Sequence, residues 1–86
     1  MQETHLTVED SGLDFDSALE MAKNLATKEN EETMLIAWFD RQRNKHSPAA
    51  VFCEINGRPG WEVYGENHQG RIKIIINDRQ YVFIFS

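Results

Sequence analysis

The stretch "RIKIIINDRQYVFIF", residues 71–85, holds two apolar segments separated by the polar residues "NDRQ". Both segments are rich in β-branched and aromatic side chains, which is typical of β-strands. A turn at "NDRQ" pairs three isoleucines with three aromatic residues: Ile76 with Tyr81, Ile74 with Phe83 and Ile72 with Phe85. A slip of one residue would split these pairs between the two faces. The stretch therefore predicts an antiparallel hairpin with one face in the core.

The second face of this hairpin carries Ile75, Val82 and Ile84, which makes it more apolar than a solvated face requires. Large exposed apolar strips on proteins usually mark contact surfaces. If the helices cover only the first face, these three side chains form an interface. The sequence thus suggests self-association through this sheet face, or else through an edge strand.

A second hairpin is predicted from the segments "TMLIAWFDR", residues 33–41, and "AVFCEI", residues 50–55. The first segment is apolar on both alternating sets, so it is expected inside the sheet. The segment "DRQRNKHSP", residues 40–48, then connects the two strands. Because Pro48 has no N–H to donate, strand pairing is expected to resume only after it.

Two helices are predicted. Residues 14–28 carry an apolar stripe with three- and four-residue spacing, on which Leu19 and Leu25 are expected to be buried. Asp14 or Asp16 suits the N-cap, and Ser17 with Glu20 has the spacing of a capping box. After the turn "NGRPG", a shorter helix is expected from residue 59 to Gly70.

The predicted order is therefore α-β-β-α-β-β in one domain spanning residues 1–86. Two hairpins form a mainly antiparallel four-stranded sheet packed by two helices, which is an α+β domain. Residues 1–12 lack a strong pattern and fit either a short strand or a frayed tail. Trp61 and Tyr64 are expected to be core residues of the second helix rather than a binding patch.

Composition narrows the class of protein. The net charge is −5 over 86 residues, and Cys53 is the only cysteine, so no disulfide can form within the chain. We therefore expect a reducing compartment, most simply the cytoplasm. No apolar run approaches the ~20 residues that a membrane span needs, and no signal-peptide pattern is present, so no membrane partner is expected.

The segments "EETMLIAWFDRQRNKHSP" and "GRPGWEVYGENHQG" resemble a small prokaryotic family classed as a domain of unknown function. The resemblance extends over residues 14–85. It implies a compact α+β domain, and it brings no activity, substrate or site residues.

The most distinctive polar feature is the basic segment around residue 43. Its cations, with a later arginine that the fold could bring near, form a possible site for an anion: Arg41, Arg43, Lys45, His46 and Arg58. Arginine forks suit phosphate, but a nucleic-acid binder is usually basic overall, whereas this chain is acidic. The segment is therefore interpreted as a solvated hairpin tip, and nucleic acid as an improbable partner.

Catalytic and metal sites find little support. Cys53 lies within a predicted strand, and no histidine is placed beside it. The histidines lack the close paired spacing of zinc ligands. Among the possible carboxylate pairs (Asp40, Glu54, Glu62 and Glu66), Glu62 and Glu66 lie four residues apart, a spacing more typical of a solvated helix face. No catalytic residue, metal or cofactor is predicted.

Three hypotheses remain open. The first, which the sequence favours, is a non-catalytic interaction module that binds an unidentified protein or itself. The second is a nucleic-acid or phosphate-ligand binder that uses residues 41–46. The third is a small enzyme with its site between the second helix and the sheet.

Overall fold

The computed structural model describes residues 1–49 and 54–86 of the chain. Within them it has two helices and five strands, in the order β1 Gln2–Leu6, α1 Phe15–Glu29, β2 Leu35–Asp40, β3 Lys45–Ser47, α2 Gly60–Asn67, β4 Ile72–Ile76 and β5 Tyr81–Phe85. The strands form one mixed sheet in the order β1-β4-β5-β2-β3. The α+β class is confirmed, and three of the four strand pairings are antiparallel. The expected four strands and the order α-β-β-α-β-β differ in detail, because a further strand joins the sheet in parallel.

That further strand is β1, which pairs in parallel with β4 from Gln2 opposite Ile72 to Leu6 opposite Ile76. Of the two interpretations of the N-terminal residues, the strand is therefore the correct one. The side chain of Asn77 extends this attachment, because it accepts from the backbone N–H of Val8 at 2.7 Å and donates to its carbonyl at 3.1 Å.

The C-terminal hairpin has the predicted register: Ile72 pairs with Phe85, Ile74 with Phe83 and Ile76 with Tyr81. All of these side chains are buried on the face that α1 covers. The predicted N-cap is also confirmed, since the Asp14 side chain accepts from the N–H of Ser17. The alternation of apolar residues fixes the register because only one pairing buries all six.

Helix α1 approaches the sheet through its smallest side chains. Ala18, Ala22 and Ala26 are fully buried, whereas Leu19 and Leu25 are half-buried at the flanks. The expectation that both leucines are buried is therefore wrong. Alanines along the centre of the stripe let the helix backbone lie close to the aromatic residues of β5.

Helix α2 covers the opposite face of the sheet. Trp61 packs there with Ile75, Val82 and Ile84, and all four residues are buried. The expectation that these three aliphatic residues form an exposed interface strip is therefore wrong, because the chain's own helix covers them. Tyr64 is only half-buried and stacks on His68 instead of entering the core.

The β2–β3 hairpin is tighter than predicted. Pairing resumes at Lys45, opposite Asp40, and ends at Ser47, before Pro48 rather than after it. Asn44 takes a positive φ of 52°, a conformation that asparagine tolerates better than most residues, and this permits the short turn. Residues 50–53 of the predicted strand 50–55 lie outside the described residues, and Glu54 and Ile55 are not part of a strand.

Neither of the helices in the described part of the chain is long and apolar enough to cross a membrane.

Candidate functional site

Five charged side chains meet between α2, the loop before it and the sheet. We call them the charged cluster: Arg58, Glu62, Glu66, Lys73 and Arg79. Lys73 alternates with Ile72 and Ile74 along β4, so it shares the face of Ile75, under α2. Glu62 and Glu66 lie one helical turn apart on the side of α2 that faces this lysine.

The centre of the cluster is buried. The Nζ atom of Lys73 donates to Oε2 of Glu62 at 2.7 Å and to Oε2 of Glu66 at 2.9 Å. Glu62 also accepts from both terminal nitrogens of Arg79, at 3.0 and 3.3 Å. Glu66 forms a two-pronged pair with Arg58. Each carboxylate is therefore shared between the lysine and at least one arginine, since Arg58 also lies 3.7 Å from Glu62.

These contacts hold the groups in their charged forms. The Arg58 hydrogen bond is the main cause that lowers the pKa of Glu66 to about 2. Burial alone would raise the pKa of Glu62, but the hydrogen bonds from Arg79 and Lys73 lower it. Burial would likewise lower the pKa of Lys73, but its two carboxylate partners raise it. A general acid or base needs a pKa near the working pH, so these shifts do not suit acid–base catalysis.

The cluster instead orients α2. It joins the helix to β4 through Lys73 and to the β4–β5 turn through Arg79, whose backbone has a φ of 75°. An open cleft of about 490 Å³ lies beside the cluster, lined by Met1, Glu3, Arg58, Glu66, Gly70 and Lys73. Both cations in this cleft are already bound to carboxylates. Across residues 1–49 and 54–86, no group of three or more metal-ligating side chains is placed to hold an ion.

Sequence reasoning missed this cluster. Glu62 was expected on a solvated helix face, yet it is buried, and Glu66 is half-buried. The expectation that these two residues form a solvated helix face is therefore wrong. The available signal was Lys73, the one charged residue in an otherwise apolar strand, which required a carboxylate partner on the covering helix.

The five residues of the predicted anion site do not converge on one surface. Arg43 donates through Nε to the buried carboxylate of Asp40 at 2.6 Å and lies over the ring of Phe15. Arg58 is held by Glu66 near β1 and β4, whereas Lys45 and His46 belong to β3 at the opposite edge of the sheet. The His46 ring lies 3.1 Å from the carbonyl of Pro48, and Arg41 is exposed in the turn.

The outer edge of β1 is a second feature of the described structure. Gln2 donates its backbone N–H to Arg71 at 2.9 Å, and Leu6 accepts from Asn77 at 2.9 Å. In a parallel ladder, alternate residues direct both backbone groups to the neighbouring strand. Gln2, Thr4 and Leu6 therefore face β4, and Glu3 and His5 direct their N–H and C=O groups away from the sheet.

The two edges of the sheet differ in how they are protected. Strand β3 has three residues, starts with a lysine and is followed by Pro48. Short length, lysine and proline are the usual devices that prevent an edge from pairing with another chain. Strand β1 has five residues, "QETHL", and none of these devices. Among the strands of residues 1–49 and 54–86, β1 therefore has the less protected edge.

The fold and its cluster of paired charges define a small α+β domain with a mixed five-stranded sheet between two helices. The model of the family "Domain of unknown function (DUF5619)" matches residues 1–85, and the chain belongs to this family. The crystal structure of AF1514, a protein from Archeoglobus fulgidus described as novel, is similar. It shares 27% identity with a TM-score of 0.82, over 100% of this chain and 93% of that one. The comparison with curated protein sequences found no match.

Proposed function

We propose that this domain is a non-catalytic interaction module whose contact element is the outer edge of β1. The main support for this proposal is that the backbone N–H and C=O groups of Glu3 and His5 point outward, which follows from the β1–β4 hydrogen bonds. A strand added to such an edge gains main-chain hydrogen bonds for affinity and side-chain contacts for specificity.

Two observations support this proposal over an enzyme. The buried groups Glu62 and Lys73 are bound to each other and are held charged. Both faces of the central strands β4 and β5 are covered by the chain's own helices, whereas the β1 edge is accessible.

The nucleic-acid or phosphate alternative has less support. Arg43 and Arg58 are each occupied by a carboxylate, and the chain carries a net charge of −5. A phosphate-binding surface needs converging cations that are available to the ligand. We propose a protein strand, not an anion, as the ligand class, and the cytoplasm as the compartment.

The experiment uses a synthetic strand peptide as the probe, with alternating threonine and valine and lysines at both ends. Titration into the isotope-labelled domain is followed by amide chemical shifts. We expect saturable shifts centred on Glu3 and His5. His5→Pro, which removes an outward N–H that the monomer does not use, should abolish them, and the matched His5→Ala control should retain them. Absence of shifts at β1, or shifts that persist in His5→Pro, would contradict the proposal.

A further inference from the structure

We infer that a second copy of this chain docks on the β1 edge, as an antiparallel strand pair with its two-fold axis at Thr4. This inference rests on the proposed function and names the partner. A two-fold dimer requires identical surfaces to face each other, and two copies of one edge strand then run antiparallel. The sheet would become continuous across the two subunits.

The backbone restricts the register of such a pair. Hydrogen-bonded pairs in an antiparallel ladder exchange both N–H···O bonds, so residues with outward groups must lie opposite each other. Glu3 and His5 are the outward residues of β1. Three two-fold registers meet this condition: glutamate opposite glutamate, histidine opposite histidine, or Glu3 opposite His5 of the partner subunit.

Side-chain complementarity selects among these registers. Two carboxylates directly opposite each other are destabilising, whereas the imidazole ring of a histidine can donate a hydrogen bond to a carboxylate opposite it. Only the axis at Thr4 pairs each Glu3 with His5 of the partner subunit. It forms two such hydrogen-bonded pairs, with Thr4 against its symmetry mate between them. The strand "QETHL" is thus complementary to itself when reversed.

The side chains of Glu3 and His5 are exposed enough to make these contacts. Glu3 and His5 project from the sheet face that α2 covers farther along the sheet. Their side chains are 51% and 69% exposed, respectively. Within one chain, Nε2 of His5 already lies 3.5 Å from Oε1 of Glu3. In the dimer, two glutamates and two histidines would alternate around the axis. Arg58 lines the same cleft as Glu3.

The pair buries one short strand on each side, so we expect weak, concentration-dependent association rather than an obligate dimer. The test is analytical ultracentrifugation of the full chain up to about 1 mM, where even weak complexes populate. The unmodified chain should sediment as a monomer–dimer equilibrium. His5→Pro should be monomeric with an unchanged thermal melt.

Charge substitutions test the register. Glu3→Lys and His5→Glu should each weaken the homodimer by about tenfold or more. An equimolar mixture of the two variants should associate to within about threefold of the parent, because each heterodimer then has an acid opposite a base at both pairs. If Glu3→Lys melts early, His5→Glu mixed with the parent chain keeps the test valid, with intermediate association expected.

A monomeric parent chain at the highest concentration, or a dimer that survives His5→Pro, would overturn the inference. If mixing the Glu3→Lys and His5→Glu variants does not restore association, the register centred on Thr4 is wrong. Binding of the strand peptide by a chain that stays monomeric would overturn the second copy as partner while leaving the edge function intact. If the chain neither dimerises in the centrifuge nor binds the strand peptide, the proposed function of the β1 edge is rejected.

Discussion

The Nζ atom of Lys73 lies 2.7 Å from Oε2 of Glu62, and only 5% and 6% of the two side chains are exposed. Removal of one member of a buried ion pair leaves the other charge uncompensated, which costs more than the pair contributes. This pair therefore makes α2 sensitive to substitutions that are neutral on an ordinary helix face.

We expect Glu62→Gln to lower the free energy of unfolding by about 2–4 kcal/mol, since Lys73 then keeps only Glu66 and Arg79 loses its carboxylate. Glu66→Gln should cost about 1–2 kcal/mol, because its side chain is 24% exposed and Arg58 can turn to water. Glu20→Gln, on the exposed side of α1, is the control. Urea denaturation measures the free energy of unfolding of all three variants. Equal losses in Glu62→Gln and Glu20→Gln would show that Glu62 does not lie in a buried ion pair.

The stability of the domain should depend on pH through Glu66. Its pKa is about 2 in the folded chain against an ordinary value of 4.5, so the unfolded chain binds this proton more tightly. The stabilisation is fully present above pH 4.5 and is lost as the pH falls toward 2. Urea denaturation across this range should show a smaller acid-induced loss in Glu66→Gln than in the parent. If stability falls with pH equally in the two proteins, Glu66 is not the source of this pH dependence.

Two glycines allow α2 to lie close to the sheet and to the residues that follow it. A Cβ atom at Gly70 would overlap the backbone carbonyl of Gly65, whereas one at Gly65 would meet Cδ1 of Ile84 at 2.8 Å. The isoleucine terminus can rotate away, but the carbonyl is fixed by its hydrogen bond from the Gly70 N–H.

We therefore expect Gly70→Ala to cost about 3 kcal/mol and Gly65→Ala about 1–2 kcal/mol. Gly12→Ala, whose Cβ would have an ordinary contact at 3.4 Å, is the near-neutral control. Thermal melts rank the three variants. A Gly70→Ala protein as stable as Gly12→Ala would show that Gly70 does not lie against the carbonyl of Gly65.

Arg43 and Arg41 are close in sequence but should behave differently. Arg43→Ala leaves the buried carboxylate of Asp40 without its 2.6 Å partner, and we expect a cost of about 1–3 kcal/mol. Arg41→Ala removes an exposed side chain and should change stability by less than about 0.5 kcal/mol. Equal effects in urea melts would mean that Arg43 is only a surface cation.

Local pattern predicted the C-terminal hairpin, its register and α1, because each depends on residues near in sequence. The parallel partner of β4 was harder to predict, since Gln2 and Ile72 are far apart in sequence and "QETHL" is mostly polar. Pro48 was interpreted as the point where pairing resumes, but the positive φ of Asn44 closes the turn earlier.

The charged cluster and the open edge could not be derived from pattern alone. Lys73 indicated a buried partner, but the position of α2 over the sheet decides that Glu62 and Glu66 supply it. The direction of the backbone groups of Glu3 and His5 depends on the phase of the β1–β4 ladder, which side-chain alternation does not specify.

The central claim is that the outer edge of β1 pairs with another strand. Backbone amide exchange, measured residue by residue at low and high protein concentration, tests it most directly. We predict that Thr4 and Leu6 are protected at both concentrations by β4, while Glu3 and His5 exchange freely when dilute and become protected when concentrated. Unprotected Glu3 and His5 amides at every concentration, with or without a strand peptide, would contradict the account.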